Sequence, residues 1–455
     1  MTHDITLEEL VHLDNQFVWH PFTQMSDWLT EEPLIIAAGH GNYLEDVQGR
    51  RYLDGISSLW VTVHGHQHPD MNRAITDQLS CIAHSTFLGL SNVPAIRLAK
   101  ELVDITPKSL QKVFYSDNGS TAVEVALKMA FQFWLQSEGQ HTSRTRFISF
   151  VNGYHGDTIG SVSVGGIDLF HRTYKPLLFE SIKVNSPYCY RCHLGKEHPG
   201  CQMSCLAEVE EVMAQHHEEV AAIVVEPLVQ GAAGMIVFPP GYTRRVRELA
   251  TRYNILFIAD EVATGFGRTG TMFACQLEEI EPDFMAVAKG ITGGYLPLAA
   301  TLATQKVFDA FRGEYKEFRT FFHGHTYTGN PLACAAALAN LEIFQAENTL
   351  DRLQEKIAFF SSGLQELREL KHVGDIRQLG FMVGVELVDD KDEKEPYPVE
   401  AKTAIRVIKE ARRRGLIIRP LGDVVVLVPP LSTSLEELDD LLQITFDSIK
   451  VVTDI

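Results

Sequence analysis

The chain has 455 residues, of which 45% are hydrophobic and 22% charged, and it carries a formal net charge of −19. That length exceeds what one compact core accommodates, so two domains are expected. The acidic balance excludes nucleic acid or an anionic membrane surface as the main partner, because both recruit an excess of Lys and Arg, yet it leaves room for an anionic ligand at a local site.

Met1-Thr2-His3-Asp4 has no basic segment followed by an apolar run, so no secretory signal is expected. No stretch approaches the roughly 20 apolar residues of a membrane span. Seven cysteines, an odd number in a long chain, fit reduced thiols and a cytoplasmic location. No internal repeat or low-complexity tract interrupts the pattern. Tyr43 and Tyr52 lie in short strand-like runs, and residues 1–60 are expected to pack with a C-terminal small domain rather than with the large one.

Val113-Phe-Tyr-Ser-Asp-Asn-Gly-Ser120 runs from an apolar strand through a small polar turn into the amphipathic stretch Thr121-Ala-Val-Glu-Val-Ala-Leu-Lys-Met-Ala130. A helix start of this kind presents unpaired backbone N–H groups at the positive end of the helix dipole, which suits a phosphate. Gly119 permits close approach and Ser120 adds a hydroxyl donor. Asn and Ser also cap many helices that bind nothing.

The middle of the chain alternates short β-branched apolar runs with longer amphipathic stretches, the pattern of an α/β fold with a mostly parallel sheet covered by helices. Ala221-Ala-Ile-Val-Val-Glu226, Ile255-Leu-Phe-Ile-Ala-Asp260 and Phe284-Met-Ala-Val-Ala-Lys289 read as buried strands, each ending on a charged residue. Ligands of open α/β sheets collect beyond the carboxyl ends of the strands, so Glu226, Asp260 and Lys289 point to one active site. A charged residue also simply marks where a strand meets solvent; three endings with this chemistry outweigh that reading. A carboxylate at Asp260 can pair with a protonated pyridine nitrogen, as pyridoxal 5'-phosphate (PLP) requires, although a helix cap is its plainer role. Desolvation makes the Lys289 amine nucleophilic toward an aldehyde, whereas many lysines merely snorkel from a sheet edge.

Cys189-x-x-Cys192 followed by Cys201-x-x-x-Cys205 has spacing compatible with a four-thiolate zinc site, with His193 and His198 between the pairs. Free thiols on a surface loop are the preferred reading, and no metal is expected there or at the alternating His64, His66 and His68. From about Ala336 onward, amphipathic helices flank two strand-like pieces, Phe381-Met-Val-Gly-Val-Glu386 and Val424-Val-Val-Leu-Val428. The expected division is an N-terminal segment 1–60, a large domain 61–335 and a small α/β domain 336–455.

Taken together, Asn152-Gly-Tyr154-His155-Gly-Asp157, Asp260-Glu-Val-Ala-Thr-Gly-Phe-Gly-Arg268, Lys289-Gly-Ile-Thr-Gly-Gly294 and His323-Gly-His-Thr326-Tyr-Thr-Gly-Asn330 resemble the class III (ornithine-type) aminotransferases over nearly the whole chain. The resemblance implies the PLP-dependent transferase fold of type I, with a seven-stranded sheet. It implies Lys289 as the Schiff-base lysine and proton carrier, and Asp260 on the pyridine nitrogen. Val262 would lie on one ring face and Tyr154 on the other, with His155 behind it. Gly119 and Ser120 would hold the phosphate, with Thr326 from the partner subunit of a homodimer, and Glu226 would lie near the ring.

More narrowly, Trp19-His-Pro-Phe-Thr-Gln-Met25, Asp54-Gly-Ile-Ser-Ser-Leu-Trp60, Val63-His-Gly-His66 and Ile418-Arg-Pro-Leu-Gly422 resemble the branch of that family that aminates 8-amino-7-oxononanoate in biotin synthesis. On that likeness Arg419 would pair with the substrate carboxylate. Phe22, Leu59, Trp60, Tyr154, Gly324 and His325 would complete the substrate site. Branch members that take the amino group from S-adenosylmethionine usually have Tyr where this chain has Phe22 and a Trp pair where it has Leu59-Trp60. Losing a hydroxyl and one aromatic face weakens a site for a sulfonium, and the likeness to a subgroup of the branch that uses lysine implies L-lysine as the donor, with S-adenosylmethionine the alternative. The competing activity is that of an ω-amino acid:pyruvate aminotransferase, which shares every cofactor motif. A PLP-dependent aminomutase or decarboxylase is the next alternative. The joint presence of Lys289, Asp260 and Tyr154 argues against a non-enzymatic PLP-binding regulator.

Overall fold

Seven strands form the central sheet of the computed structural model, in the order Leu110–Ser116, Ala299–Thr304, Phe284–Val287, Leu256–Asp260, Val220–Val225, Arg146–Phe150 and Ile182–Val184. Only Ala299–Thr304 runs against its neighbours; the pairings from Phe284–Val287 to Ile182–Val184 are all parallel. The structure describes residues 5–138 and 142–454, so the N-terminal residues 1–4 read above lie outside it. All six residues of Val220–Val225 are buried, as befits a parallel strand covered on both faces. The three apolar runs expected as strands are neighbours in this sheet, and their carboxyl ends therefore lie side by side. One detail corrects that expectation. The third strand stops at Val287, and Lys289 opens a 3₁₀ turn, Lys289–Thr292, with φ of 47°.

The helix Gly119–Glu138 covers one face of the sheet. Ala122, Ala126 and Ala130 recur every fourth residue and, with Val123 and Leu127, form a shallow apolar stripe against Ala222, Val224, Ile258 and Ala286. Small side chains let this helix lie close to the strands, and each large apolar group buried contributes roughly 1.5–3 kcal/mol. The helices Val93–Ile105, Tyr242–Arg252 and Pro331–Ala346 supply buried residues to the core cluster on the opposite face.

A second, antiparallel sheet has the order Val373–Leu379, Met382–Leu387, Val424–Leu427 and Arg419–Leu421. The two strand-like pieces expected from sequence are its centre. N-terminal strands Ile36–His40, Tyr43–Asp46 and Arg51–Asp54 form a third sheet that is completed by Leu416–Ile417, parallel to Arg51–Asp54. The two ends of the chain are thus joined by strand pairing. No helix among the described residues is long and apolar enough to cross a membrane.

Arg268 ties these parts together. Its buried guanidinium donates to Thr62 O at 2.7 Å and Pro429 O at 2.8 Å, one carbonyl from each side of the chain. Burial lowers its pKa to about 10, with the charge of Asp54 opposing the fall. The turn before Met382–Leu387 rests on the same loop: Phe381 N donates to Arg268 O, and a Cβ at Gly380 (φ +60°) would meet that oxygen at 2.4 Å. Gly380→Ala should therefore cost about 1–3 kcal/mol in urea unfolding, from strain and a backbone clash together. Gly49→Ala, equally left-handed but with nothing within 4 Å, should cost less and isolates the conformational part.

Candidate active site

Beyond the carboxyl ends of the central strands, Asp260, Glu226 and Lys289 meet in one cavity of about 940 Å³. Asp260 is held by two contacts. Its Oδ1 accepts from Val262 N at 3.1 Å, and its Oδ2 lies 2.7 Å from His155 Nδ1, with both side chains buried. His155 therefore acts on the carboxylate itself, and its imidazole fixes the direction in which Asp260 can face a further partner.

Glu226 bridges two loops, accepting from Tyr154 N at 2.9 Å and from Gly231 N at 3.0 Å. Burial raises its pKa to about 7; nearby Asp260 adds to the rise, while His155 and the two amides oppose it. Lys289 is moved the other way. Burial pushes its amine below the usual lysine range, Asp260 and Glu226 resist, and Arg268 adds to the fall. Its Nζ lies 5.0 Å over the centroid of the Trp60 ring.

The helix start is built as expected. Asn118 caps it through Oδ1, which accepts from Thr121 N at 3.0 Å, and a Cβ at Gly119 would come within 2.5 Å of Val262 Cγ1. Only glycine allows that approach. Ser120 Oγ accepts from Thr158 N at 3.0 Å and lies 2.8 Å from Thr158 Oγ1, while Thr158 donates to Glu124. The cavity thus offers a helix N-terminus with adjacent hydroxyls for an anionic group, a buried carboxylate for a cationic ring nitrogen, and a desolvated amine for an electrophile.

Gly119, Ser120, Tyr154, His155, Glu226, Asp260, Val262 and Lys289 all line the cavity, as do Phe22, Leu59, Trp60 and Arg419. The Tyr154 hydroxyl donates to Asp157 Oδ2 at 2.7 Å. Arg419 is exposed at the cavity, and its guanidinium makes no hydrogen bond or ion pair among the described residues. Gly324, His325 and Thr326 are not brought to the cavity wall. His325 Nδ1 reaches Asp117 Oδ2 at 2.8 Å, and Asp117 does line the cavity; Thr326 is exposed outside it. Phe170 and Thr158, which sequence reasoning passed over, line the cavity as well. The Phe170 ring stands edge-on to Phe22 at 5.4 Å and to Tyr154 at 6.3 Å. Nothing in its local sequence, a four-residue helix Asp168–His171, marks it out.

Cys189, Cys192, Cys201 and Cys205 share a small cleft with His193 and His198, in the segment that follows strand Ile182–Val184. Among the described residues no three His, Cys, Asp or Glu side chains are placed to hold a metal. The three alternating histidines part company. His64 faces Asn340 O and is lowered to about 4 by burial, His66 pairs with Asp54, and the His68 ring accepts from Asp70 N at a helix start.

Residues 25–449 match the family model described as Aminotransferase class-III. A relative from Geobacter sulfurreducens, named adenosylmethionine-8-amino-7-oxononanoate aminotransferase, is 54% identical over 451 residues and 99% of each chain. Another of that name from Nitratidesulfovibrio vulgaris is 56% identical, covering 97% of this chain and 82% of its own length. Among solved structures, the Methanocaldococcus jannaschii protein with the same name superposes with a TM-score of 0.93 at 47% identity, over 98% of this chain and 99% of that one. The ω-transaminase from Pseudomonas jessenii in complex with PMP gives 0.93 at 32% identity, over 98% of both chains.

The raised pKa of Glu226 has a thermodynamic consequence. Between its unfolded value near 4.5 and its folded value of about 7 the native state binds the extra proton, so stability is present below that window and is lost as pH rises through it. In urea unfolding of the cofactor-free full chain, Glu226→Gln should gain up to about 3 kcal/mol relative to the unsubstituted protein between pH 4.5 and pH 8. A pH-independent difference would show that Glu226 is already ionised in the fold.

Proposed function

The chain belongs to the class III aminotransferases, a PLP-dependent family, and on that premise we propose that it transfers an amino group to the ketone of 8-amino-7-oxononanoate, forming 7,8-diaminononanoate for biotin synthesis. The observation that carries this reading is Arg419. A guanidinium without a partner among the described residues stands at the wall of a cavity otherwise rich in apolar and aromatic side chains, with Lys289 in the same cavity. An acceptor with a long apolar chain ending in a carboxylate suits that pairing of features. The names of the relatives support the same acceptor.

When bound, PLP supplies an aldehyde carbon that takes up the amino group and a cationic ring that draws off electrons. Lys289 is the proposed attachment point and, once freed, the base that would move a proton between the two carbons flanking the transferred nitrogen. Its burial favours the neutral amine that both tasks need. Asp260 keeps the ring nitrogen protonated, and His155 and the Val262 amide hold its carboxylate in place. Val262 and Tyr154 bound the two ring faces, and Gly119 and Ser120 receive the phosphate at the helix start. Trp60, Phe22 and Tyr154 exclude water from the acceptor chain.

The proposed unit is a homodimer in which Thr326 of a second copy completes the phosphate site, with Gly324 and His325 of the same loop beside the substrate. The exposed Phe322 and Tyr327 around Thr326, and the exposed Leu88 and Leu90, give that loop an apolar setting of the kind an interface covers. Seven unpaired cysteines suit a reducing compartment such as the cytoplasm.

For the donor we propose S-adenosylmethionine, on the names of the relatives. L-lysine is the second reading, favoured by Phe22 and Leu59, which both line the cavity without the hydroxyl and second indole that a sulfonium site would use. An ω-amino acid:pyruvate activity rests on the likeness to the Pseudomonas jessenii structure. Mixing the holoenzyme with each donor and following the cofactor's visible absorbance distinguishes the two donors. Turnover of 8-amino-7-oxononanoate well above that of pyruvate is expected, and the reverse would sink the biotin assignment. Lys289→Ala should abolish multiple turnover with every donor. Arg419→Met should raise KM for 8-amino-7-oxononanoate roughly 10- to 100-fold, as expected for a lost charged hydrogen bond, with a smaller effect on the donor half-reaction.

A further inference from the structure

The short turn that delivers Trp60 is strained. Ser57, Ser58 and Trp60 adopt φ of 51°, 60° and 63°, a left-handed backbone that non-glycine residues keep only where the surroundings enforce it. The enforcement is visible. Asp54 accepts from Ser58 N at 2.9 Å and Ser58 Oγ at 3.1 Å, and His66 Nε2 stands 3.0 Å from its Oδ2. Ser57 Oγ donates to Val428 O at 2.6 Å. The turn places a Trp60 side chain that is only 7% exposed and whose Nε1 has no hydrogen-bond partner among the described residues. The indole is thus held for its ring rather than for its N–H. Gly231 leaves room for it, since a Cβ there would come within 3.1 Å of the ring. Lys289 Nζ lies over the ring at 5.0 Å from the centroid.

From this geometry we propose that Trp60 is a positioning residue for Lys289, its ring face holding the ε-ammonium inside the cavity during the interval in which the freed amine carries a proton. The inference rests on reading Lys289 as the cofactor lysine and adds a role that substrate contact alone does not give Trp60. A group that carries a proton from one atom to another must keep that proton and stay in reach. Burial works against the first requirement, Arg268 works with burial, and only the charges of Asp260 and Glu226 oppose them; His155 stands on Asp260 and binds part of its field. An aromatic face attracts a cation and is indifferent to a neutral amine, so it supports the protonated form, by up to about one pH unit for a desolvated contact. It also gives the ammonium a fixed resting place that adds no carboxylate to the cavity.

Two explanations for a tightly held Trp60 predict opposite signs. If the ring serves only to exclude water, removing it hydrates the amine and the Lys289 pKa rises toward the ordinary lysine value. If the ring holds the ammonium, removing it lowers the pKa. Full-length protein loaded with pyridoxamine phosphate, which leaves the Lys289 amine free, would be labelled with trace acetic anhydride from about pH 6 to about pH 10, a span that brackets a burial-lowered lysine. Mass spectrometry of the Lys289 peptide then reports its titration midpoint without any substrate present. Trp60→Leu should shift the midpoint down by up to about one pH unit, raising labelling below the midpoint up to about tenfold, whereas Trp60→Phe should hold it near the unsubstituted value.

Should Trp60→Leu not yield folded protein, fluorinated tryptophan incorporated throughout the chain keeps the ring's shape while weakening its attraction for cations, and a downward shift is again expected. An unchanged or raised midpoint overturns the proposal. A wrong assignment of Lys289 would announce itself separately, as retained turnover in Lys289→Ala.

Discussion

Ionisable groups taken out of water at the end of one sheet are the constraint on which this molecule is organised. Asp260, Glu226 and Arg268 are buried, and Lys289 lies half-buried beside them, where an unpaired charge is far more costly than at a surface. Each therefore needs fixed partners, and the fold can be read as their supply. Parallel strands bring two carboxylates and the turn carrying the amine to one edge. Loops after Arg146–Phe150 and Val229–Gln230 contribute His155 and the amides of Tyr154 and Gly231, and the turn after Asp260 contributes the amide of Val262. Carbonyls of Thr62 and Pro429 accept from the two terminal nitrogens of Arg268, while its Nε has no partner among the described residues. The same desolvation that makes the groups costly sets their proton affinities apart, upward for Glu226 and downward for Lys289. That is how acid and base work coexist in one cavity.

How much of this could be read from sequence divides along a physical line. The strands ending at Val225, Asp260 and Val287 were legible because fully buried parallel strands are continuous apolar runs, and the charged residues at or just beyond their ends were anomalies. The helix start at Asn118-Gly119-Ser120 was legible because capping is local. The strands Val373–Leu379 and Arg419–Leu421 were not: they flank a sheet, and their mixed burial leaves no run to recognise. Lys289 was placed on a strand, although its left-handed backbone puts it in a turn, since φ leaves no trace in side-chain pattern. Phe170 and the strained turn before Trp60 were invisible for a related reason. Their importance arises from contacts with Phe22, Tyr154, Asp54 and Val428, remote in sequence, and local composition carries no record of such meetings.

The cavity walls also explain how one scaffold tolerates different substrates. The side that faces Asp260, His155 and the helix start is rigidly bonded, residue to residue. The side formed by Phe22, Leu59, Phe170 and Arg419 is looser. Phe22 and Arg419 are exposed, and Phe22 meets Phe170 only edge-on. On the proposed function, change on this second side would alter what is bound without disturbing the residues assigned to the chemistry. The ω-transaminase structure at 32% identity but equal superposition is in keeping with such a division.

The parallel pairing of Arg51–Asp54 with Leu416–Ile417 also sets the order in which the molecule can be made. On the ribosome, the early strands wait with one edge open until nearly the whole polypeptide has emerged. Asp54, which braces the Trp60 turn, sits on the strand that waits, and Arg419 arrives with the strand that completes it. Closing so long a loop is slow and leaves an unpaired edge exposed in the meantime. A nascent chain of this protein can therefore acquire its central sheet well before it acquires a substrate cavity, and its window of vulnerability to misassembly lies between those two events.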